Sequence, residues 1–435
     1  MNPFFNQKLD KHPPGLMTLF FTEMWERFSY YGMRAILVLY LISEKTGENP
    51  GLGWSNQEAI SLYGWYTALV YLACVPGGII GDKFLNNKNA VTVGGALLCV
   101  GHLLLAFKNE IFFFSGLLFI ILGVGLLKPN ISTLVGSLYK TNDTRRDQGF
   151  TIFYIGINFG AFLASIIVGY VGEVHGWHFG FSLAGIGMII GQIFFLNGKN
   201  NFYVSKSRKM VIRNLKFTSI ELDRIKLILI ASLALIIFWA SFEQAGGLMN
   251  IYAFEKTNRY IEFMDFEIPA SWFQSINPLL IILLGFYVSA FWIFLSKKKF
   301  LCSSIFKIST GLIIMGTGFI FMYFASVESS NLGKSSMYWL LLAYLFHTVG
   351  ELCASPIILS YITKLSPKKI IASVMGIYFA TIGLGNKLAG TIGQHSDNLG
   401  EKTVFLGIFF VCLVTGFVII IFQKRLKRLS HGLDN

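Results

Sequence analysis

The chain has 435 residues, 54% of them hydrophobic and only 14% charged, with a formal net charge of +13. No soluble domain of this length needs so much apolar surface, which excludes a soluble globular plan. The positive charge does not point to nucleic acid either, because no basic domain stands free of the apolar stretches.

Apolar runs of about 20 residues, enough to cross a bilayer, recur from end to end. We read twelve, at roughly 16–42, 55–81, 90–107, 111–138, 149–172, 179–196, 227–254, 271–296, 304–326, 335–363, 370–393 and 403–423. Residues 1–15 are polar and contain Pro, and the first apolar run carries four charges, so a cleavable signal is not expected. With both termini inside, most Lys and Arg fall on inside segments. That asymmetry orients the chain and accounts for its basic character through topology and lipid contact.

The first run holds the densest chemistry, Glu23-Met24-Trp25-Glu26-Arg27-Phe28-Ser29-Tyr30-Tyr31-Gly32-Met33-Arg34. At ~100° per residue, Glu23, Glu26, Arg27, Tyr30 and Arg34 share one stripe. Glu23 and Arg27 are four apart in the favourable order. A charge at the centre of a membrane helix costs roughly 2.5–3.5 kcal/mol even on the lenient scale, so such a stripe points to function. The competing reading is a self-neutralised ion cluster that only orients the helix. Two tandem pairs are more than that needs, and Arg offers a fork for a carboxylate.

The second run ends in Gly81-Asp82-Lys83, either a surface turn or a brace between helices in one state of a rocking cycle. In the fourth, Lys128 precedes Pro129. A lone buried ammonium requires an acidic partner or ligand, and Glu23 and Glu26 are the candidate partners. Asn158 lies in the fifth run. His175 and His178 follow near Glu173 in an outer loop, where no metal site is expected. The basic stretch 197–226 reads as an inside linker between two sets of six helices, 1–196 and 227–435.

The seventh run contains one charge, Glu243, within Phe238-Trp239-Ala240-Ser241-Phe242-Glu243-Gln244. An acid that alternates between an apolar setting and an Arg neighbour can carry a proton. Asn277 precedes Pro278 in the eighth run and can bond a ligand or a neighbouring helix. Glu351 in the tenth suits an ammonium partner, while His347 one turn earlier reads as core. Lys387 in the eleventh is open between helix pairing and gating. The five cysteines lie within or at the edges of the runs, with no disulfide framework or zinc spacing.

Internal echoes suggest duplication. Pro129 and Pro356 occupy corresponding runs, where a proline frees a backbone carbonyl and permits bending. Ile155-Gly156…Asn158 and Ile382-Gly383…Asn386 correspond likewise. Inverted or parallel repeats with a midplane site are a common transporter plan. The buried charges of the first half are net positive and those of the second net negative. A cleft between the halves suits a ligand that carries both signs.

These residues resemble the proton-dependent oligopeptide transporter family of the major facilitator superfamily, over essentially the whole chain. Glu23-x-x-Glu26-Arg27-Phe28-x-Tyr30-Tyr31-Gly32 looks like its first-helix signature. Tyr63-Gly64-Trp65-Tyr66, Lys128-Pro129-Asn130-x-Ser132, Phe153-Tyr154-x-x-Ile157-Asn158-x-Gly160, Phe238-Trp239-x-x-Phe242-Glu243-Gln244, Phe273-Gln274-Ser275-x-Asn277-Pro278 and Gly350-Glu351-x-x-x-Ser355-Pro356 follow in order.

The resemblance implies an all-α polytopic membrane protein with the major facilitator fold, twelve transmembrane helices in two six-helix bundles. It implies no enzyme and no cofactor other than protons as coupling ion. Arg27, Arg34 and Lys128 would hold a peptide carboxylate, Glu351 with Asn158 and Asn277 its amino end, and Ser355 would also bind the substrate. Tyr30, Tyr31, Tyr66 and Trp239 would line side-chain pockets. Glu243 would carry the proton, with Glu23, Glu26 and Arg27 in the coupling. The implied partners are di- and tripeptides, protons and lipid, with no nucleic acid and no obligate protein partner. The implied location is a bacterial inner membrane with both termini cytoplasmic. An anion or nitrate carrier of the same family and a non-transporting peptide sensor are the alternatives. Three departures stand out: stretch 197–226 leaves no room for the two extra helices of many bacterial relatives, Tyr378 replaces an expected Trp, and the second run lacks the His of animal members.

Overall fold

In hydrocarbon every backbone N–H and C=O must be satisfied within its own element, so apolar runs of this length become helices. The computed structural model describes residues 12–139, 143, 145–202, 217–298, 303–367 and 370–434. Among these, twelve long helical segments follow one another: α1 Gly15–Ile42, α2 Asn56–Leu85, α3 Asn87–Leu105, α4 Glu110–Ser137, α5 Gln148–His175, α6 Trp177–Asn201, α7 Ser219–Lys256, α8 Ala270–Lys297, α9 Ser304–Leu332, α10 Met337–Leu365, α11 Ile371–Gln394 and α12 Glu401–Leu429. Ten are long and apolar enough to cross a membrane. The other two are α1, with its four charges, and α11, which mixes Gly, Thr, Asn and Lys.

Each expected run has its helix, with shifted ends. Helix α6 continues to Asn201 and α7 starts at Ser219, both inside the stretch read as linker. The reason is local: Thr218 and Glu221 form a capping box that starts α7 before the apolar run begins. Residues 203–216, the middle of that stretch, lie outside the described residues. Helix α7 is interrupted by a 3-10 turn at Glu243–Ala245 before the segment Leu248–Lys256 resumes. Gly81–Leu85 is a π-helical end of α2 rather than a turn. Pro129 and Pro356 sit inside α4 and α10.

We describe the molecule in two halves, α1–α6 and α7–α12, on either side of residues 203–216. Within the first half α3 pairs with α4, and α1 with α5 and α6; in the second, α9 pairs with α10 and α12. The halves meet mainly along α2 against α11 and α5 against α8. Small residues permit the first of these contacts: a Cβ added at Gly390 would lie 2.6 Å from the Cα of Gly64.

The bundle has two ends. At one, α1 begins and residues 202 and 217 emerge; we call it the linker face. At the other, Thr257–Asn258 pairs in parallel with Ser335–Ser336, and Tyr260–Ile261 pairs antiparallel with Phe266–Glu267; we call it the strand face. Hydrogen bonds between the halves gather toward the strand face. Asn250 donates to the Ala35 carbonyl at 2.8 Å, Trp272 Nε1 to Ile166 O at 2.9 Å, and the Ala270 N–H to Glu173 at 2.8 Å. Toward the linker face, beyond the two helix prolines, Ser132, Thr133, Leu359 and Ser360 are exposed.

Candidate functional site

The stripe on α1 folds as its spacing dictates, inward and buried. Glu23, Glu26, Arg27, Tyr30 and Arg34 are each at most 8% exposed. Arg27 Nε lies 3.2 Å from Glu23 and also pairs with Glu26, so this ion cluster is closed within one helix. The Arg27 guanidinium stands 5.4 Å from the Tyr30 ring and 5.8 Å from the Tyr31 ring. Cation–ring contacts of this kind contribute about 0.5–2 kcal/mol.

Arg34, seven residues on, leaves its own half. Its Nη1 is 3.0 Å from Glu243 Oε1. Tyr63 on α2 donates its hydroxyl to the same carboxylate oxygen. Glu243 occupies the break in α7, so its side chain is presented by a 3-10 turn rather than by a regular helix. Its carboxylate thus has two partners, both from the other half.

Lys128 makes no direct ion pair. Among the described residues no carboxylate lies within ion-pair distance of its ammonium; Glu23 and Glu26, both held by Arg27, lie only within its longer electrostatic reach. Instead its Nζ lies 4.0 Å from the ring centroid of Tyr71. An ammonium resting on an aromatic face keeps its N–H donors available for an anion.

The second half supplies the opposite sign. Glu351 is 8% exposed and accepts a 2.8 Å hydrogen bond from Asn277 Nδ2, which is also 3.1 Å from Thr348 Oγ1. No basic side chain among the described residues pairs with Glu351. Tyr378 lies within electrostatic reach of Glu351 and of Tyr71, the ring beneath Lys128, and Tyr154 lies within reach of Glu351 and Tyr31. These phenols thus lie within reach of groups on both sides. Asn158 is turned back on its own helix, donating to Tyr154 O at 2.9 Å. Ser355 is half-buried one turn after Glu351.

Several buried polar atoms here have no protein partner: Arg27 Nη2, Arg34 Nε, the Tyr30 and Tyr66 hydroxyls and Trp239 Nε1. A buried donor left unpaired costs about 1–3 kcal/mol, so their concentration marks a place built to bind polar groups. No cluster of three or more His, Cys, Asp or Glu suited to a metal occurs among the described residues.

Lys387 belongs elsewhere. It is half-buried, and its ammonium lies 4.6 Å from the ring of Trp65, itself 51% exposed. It does not join the other buried charges, and the pairing it makes is with an aromatic face. His347 is core, its ring tilted against Phe319 with centroids 4.5 Å apart. Cys302 lies outside the described residues; Cys74, Cys99, Cys353 and Cys412 are free thiols.

Sequence reasoning passed over Tyr63, Tyr71 and Thr348. A signal existed for the first two: Tyr63, Tyr66 and Tyr71 recur on one face of α2, but only Tyr66 stood out as a candidate. Which charge each would meet depends on how α2 lies against α1 and α7, which helical periodicity does not encode.

Comparison with known proteins agrees with this architecture. A model of the POT family, PTR2, matches residues 88–225 and 209–405. The chain is 35% identical to the peptide transporter YePEPT of Yersinia enterocolitica, over 97% of this chain and 96% of that one. It is 32% identical to a di-/tripeptide transporter of Lactococcus lactis subsp. cremoris, over 98% and 97%. A crystal structure of a peptide transporter POT in complex with sulfate superimposes with a TM-score of 0.90 at 32% identity, covering 97% of each chain. A POT family transporter in complex with 5-aminolevulinic acid gives 0.87 at 31% identity, covering 96% of this chain and 98% of that one. The chain therefore belongs to the POT family of membrane transporters, with the major facilitator fold, and is not an enzyme.

Proposed function

We propose that this protein is a proton-coupled symporter that imports di- and tripeptides by alternating access. The observation that carries the reading is the opposition of charge across the two halves. Arg27, Arg34 and Lys128 stand on the first half and Glu351 on the second, with phenols between. A short peptide is a zwitterion with its charges a few ångströms apart, and it fits two such walls. Lys128, which has no carboxylate at ion-pair distance, and the unpaired donors of Arg27 and Arg34 would take the peptide carboxylate. Glu351, with Asn277 and Asn158, would take its ammonium. Tyr30, Tyr66 and Trp239, whose polar tips lack protein partners, and Tyr31, whose ring lies against Arg27 and Arg34, would border the side chains. The names of the relatives, peptide and di-/tripeptide transporters, support the substrate class.

Glu243 is the proton carrier in this reading. Ionised, it holds Arg34 and binds the halves together. Protonated, it gives up that attraction, frees Arg34 for the peptide carboxylate and lets the halves part. Proton and peptide then favour the same change, and the coupling is reciprocal. The linker face is the cytoplasmic one by the positive-inside argument. The arrangement of cross-half bonds then corresponds to a state closed outside and open inside, in a bacterial inner membrane.

The test is uptake of dialanine into proteoliposomes under an imposed inward proton gradient. Accumulation that collapses with the gradient is the expected result. Uptake indifferent to the gradient would remove the coupling, and transport of nitrate in preference to dipeptide would change the substrate class.

A further inference from the structure

The carboxylate of Glu173, at the strand-face end of α5, crosses to the other half and caps α8. Its Oε2 accepts the Ala270 N–H at 2.8 Å, and its Oε1 accepts the Ser271 N–H at 2.8 Å together with the Ser271 hydroxyl. Arg259, on the loop before the strand pair, approaches to 4.0 Å and is itself held at 2.9 Å by Glu267. The Glu173 and Arg259 side chains are each 8% exposed. Three donors from the first turn of α8 thus converge on one buried carboxylate, as a capping residue would accept them, but the cap comes from a different bundle.

The surroundings fit that junction. A Cβ added at Gly169 would lie 2.1 Å from Ser271 Oγ, so the absence of a side chain there lets α8 approach α5. Asn49 braces the acceptor side, donating to the Gly172 and Glu173 carbonyls at 2.8 and 3.2 Å. Trp272, next to Ser271, reaches the Ile166 carbonyl one turn below. Glu173 takes no part in the site described above: its partners lie beyond it, toward the strand face.

We infer that Glu173 is the latch of the strand-face gate, holding the α8 end shut by capping it from the opposite half. This rests on the alternating-access reading. Opening at that face must pull α8 from α5. The three donors and Arg259 then exchange a buried carboxylate for water, so the strength of this junction is one of the terms that set how often the gate opens. The Arg34–Glu243 pair closes the path at the level of the site, and Glu173 closes it nearer the surface. Loading from the strand face needs both to release.

The test uses the full-length protein in detergent and in nanodiscs. Spin labels are placed by Glu48→Cys and Phe263→Cys, on exposed loops of the two halves at the strand face, in a background lacking the native cysteines. Distances are read by double electron–electron resonance. The expected result is that Glu173→Ala adds a longer-distance population at least about fivefold larger than in the parent. Glu173→Gln, which keeps one carbonyl acceptor, should give a smaller increase, and Ser271→Ala, which removes one donor of three, a smaller one still. Distances in Glu173→Ala and Glu173→Gln that match the parent would overturn the latch. If Glu173→Ala fails to elute as a folded monodisperse species, Glu173→Gln and Ser271→Ala decide alone. Gradient-driven dialanine uptake by the parent is measured in parallel. Longer distances without uptake would keep the latch and remove the transport reading, while uptake with unchanged distances would do the reverse.

Discussion

Arg27 and Arg34 lie seven residues apart on one helix, are both buried, and stand in opposite situations. Arg27 is neutralised by Glu23 and Glu26 of its own helix, so its ion cluster survives any movement of one half against the other. Arg34 is neutralised across the divide by Glu243, so its pair exists only while the halves are together at that level. In the proposed transport cycle, the difference separates a fixed feature from a switch. A within-helix cluster can shape a constant binding wall. A cross-half pair reports on, and helps to set, the conformation. Removing one partner of a buried pair costs about 3–5 kcal/mol because it strands the other charge, and in Arg34–Glu243 that cost falls on one state of the cycle rather than on both.

The comparison breaks most visibly at Glu243. Glu243→Gln should abolish gradient-driven dialanine uptake, by about 100-fold or more, yet retain exchange of peptide across the membrane. Loss of exchange as well would make Glu243 a structural residue. The first-half wall is sharpened by Lys128→Ala, which should weaken dipeptides with a free carboxylate by about tenfold while leaving amidated dipeptides much less affected; equal losses in competition assays would dismiss the carboxylate clamp. Next comes Tyr63→Phe, which removes one donor to Glu243. The net worth of a hydrogen bond to a charged group is about 1.5–3 kcal/mol. Uptake should drop several-fold, with a displaced pH profile and dipeptide affinity at saturating proton unchanged. A uniform loss at every pH would place Tyr63 in packing alone. At the small end, Lys387→Met should change dialanine uptake by less than about twofold, since Lys387 meets Trp65 and not the other charges. A large loss would show that a charge outside the pair and outside the cluster also takes part in the cycle.

Much of the candidate site was legible because membrane helices make charges conspicuous. Glu23, Glu26, Arg27, Arg34, Lys128, Glu243 and Glu351 each break an apolar run, and the cost of burying them singles them out. The partners were less legible. That Lys128 rests on Tyr71 while Arg27 holds both acids is a matter of side-chain reach in three dimensions. That Glu173 turns away from the nearby histidines to cap α8 depends on contact between residues about a hundred positions apart.

Legible in the residues alone were the class of the protein, its twelve helices and the charges that interrupt them. These follow from local quantities, the length of an apolar run, the period of a helix and the price of a charge in hydrocarbon. Which charges pair within a half, which pair across it, and which, like Lys387, stand apart from the others was settled by how the helices pack. Those outcomes depend on the relative rotation and depth of packed helices. Small residues such as Gly64, Gly169 and Gly390 permit that packing, but the one-dimensional pattern does not specify it.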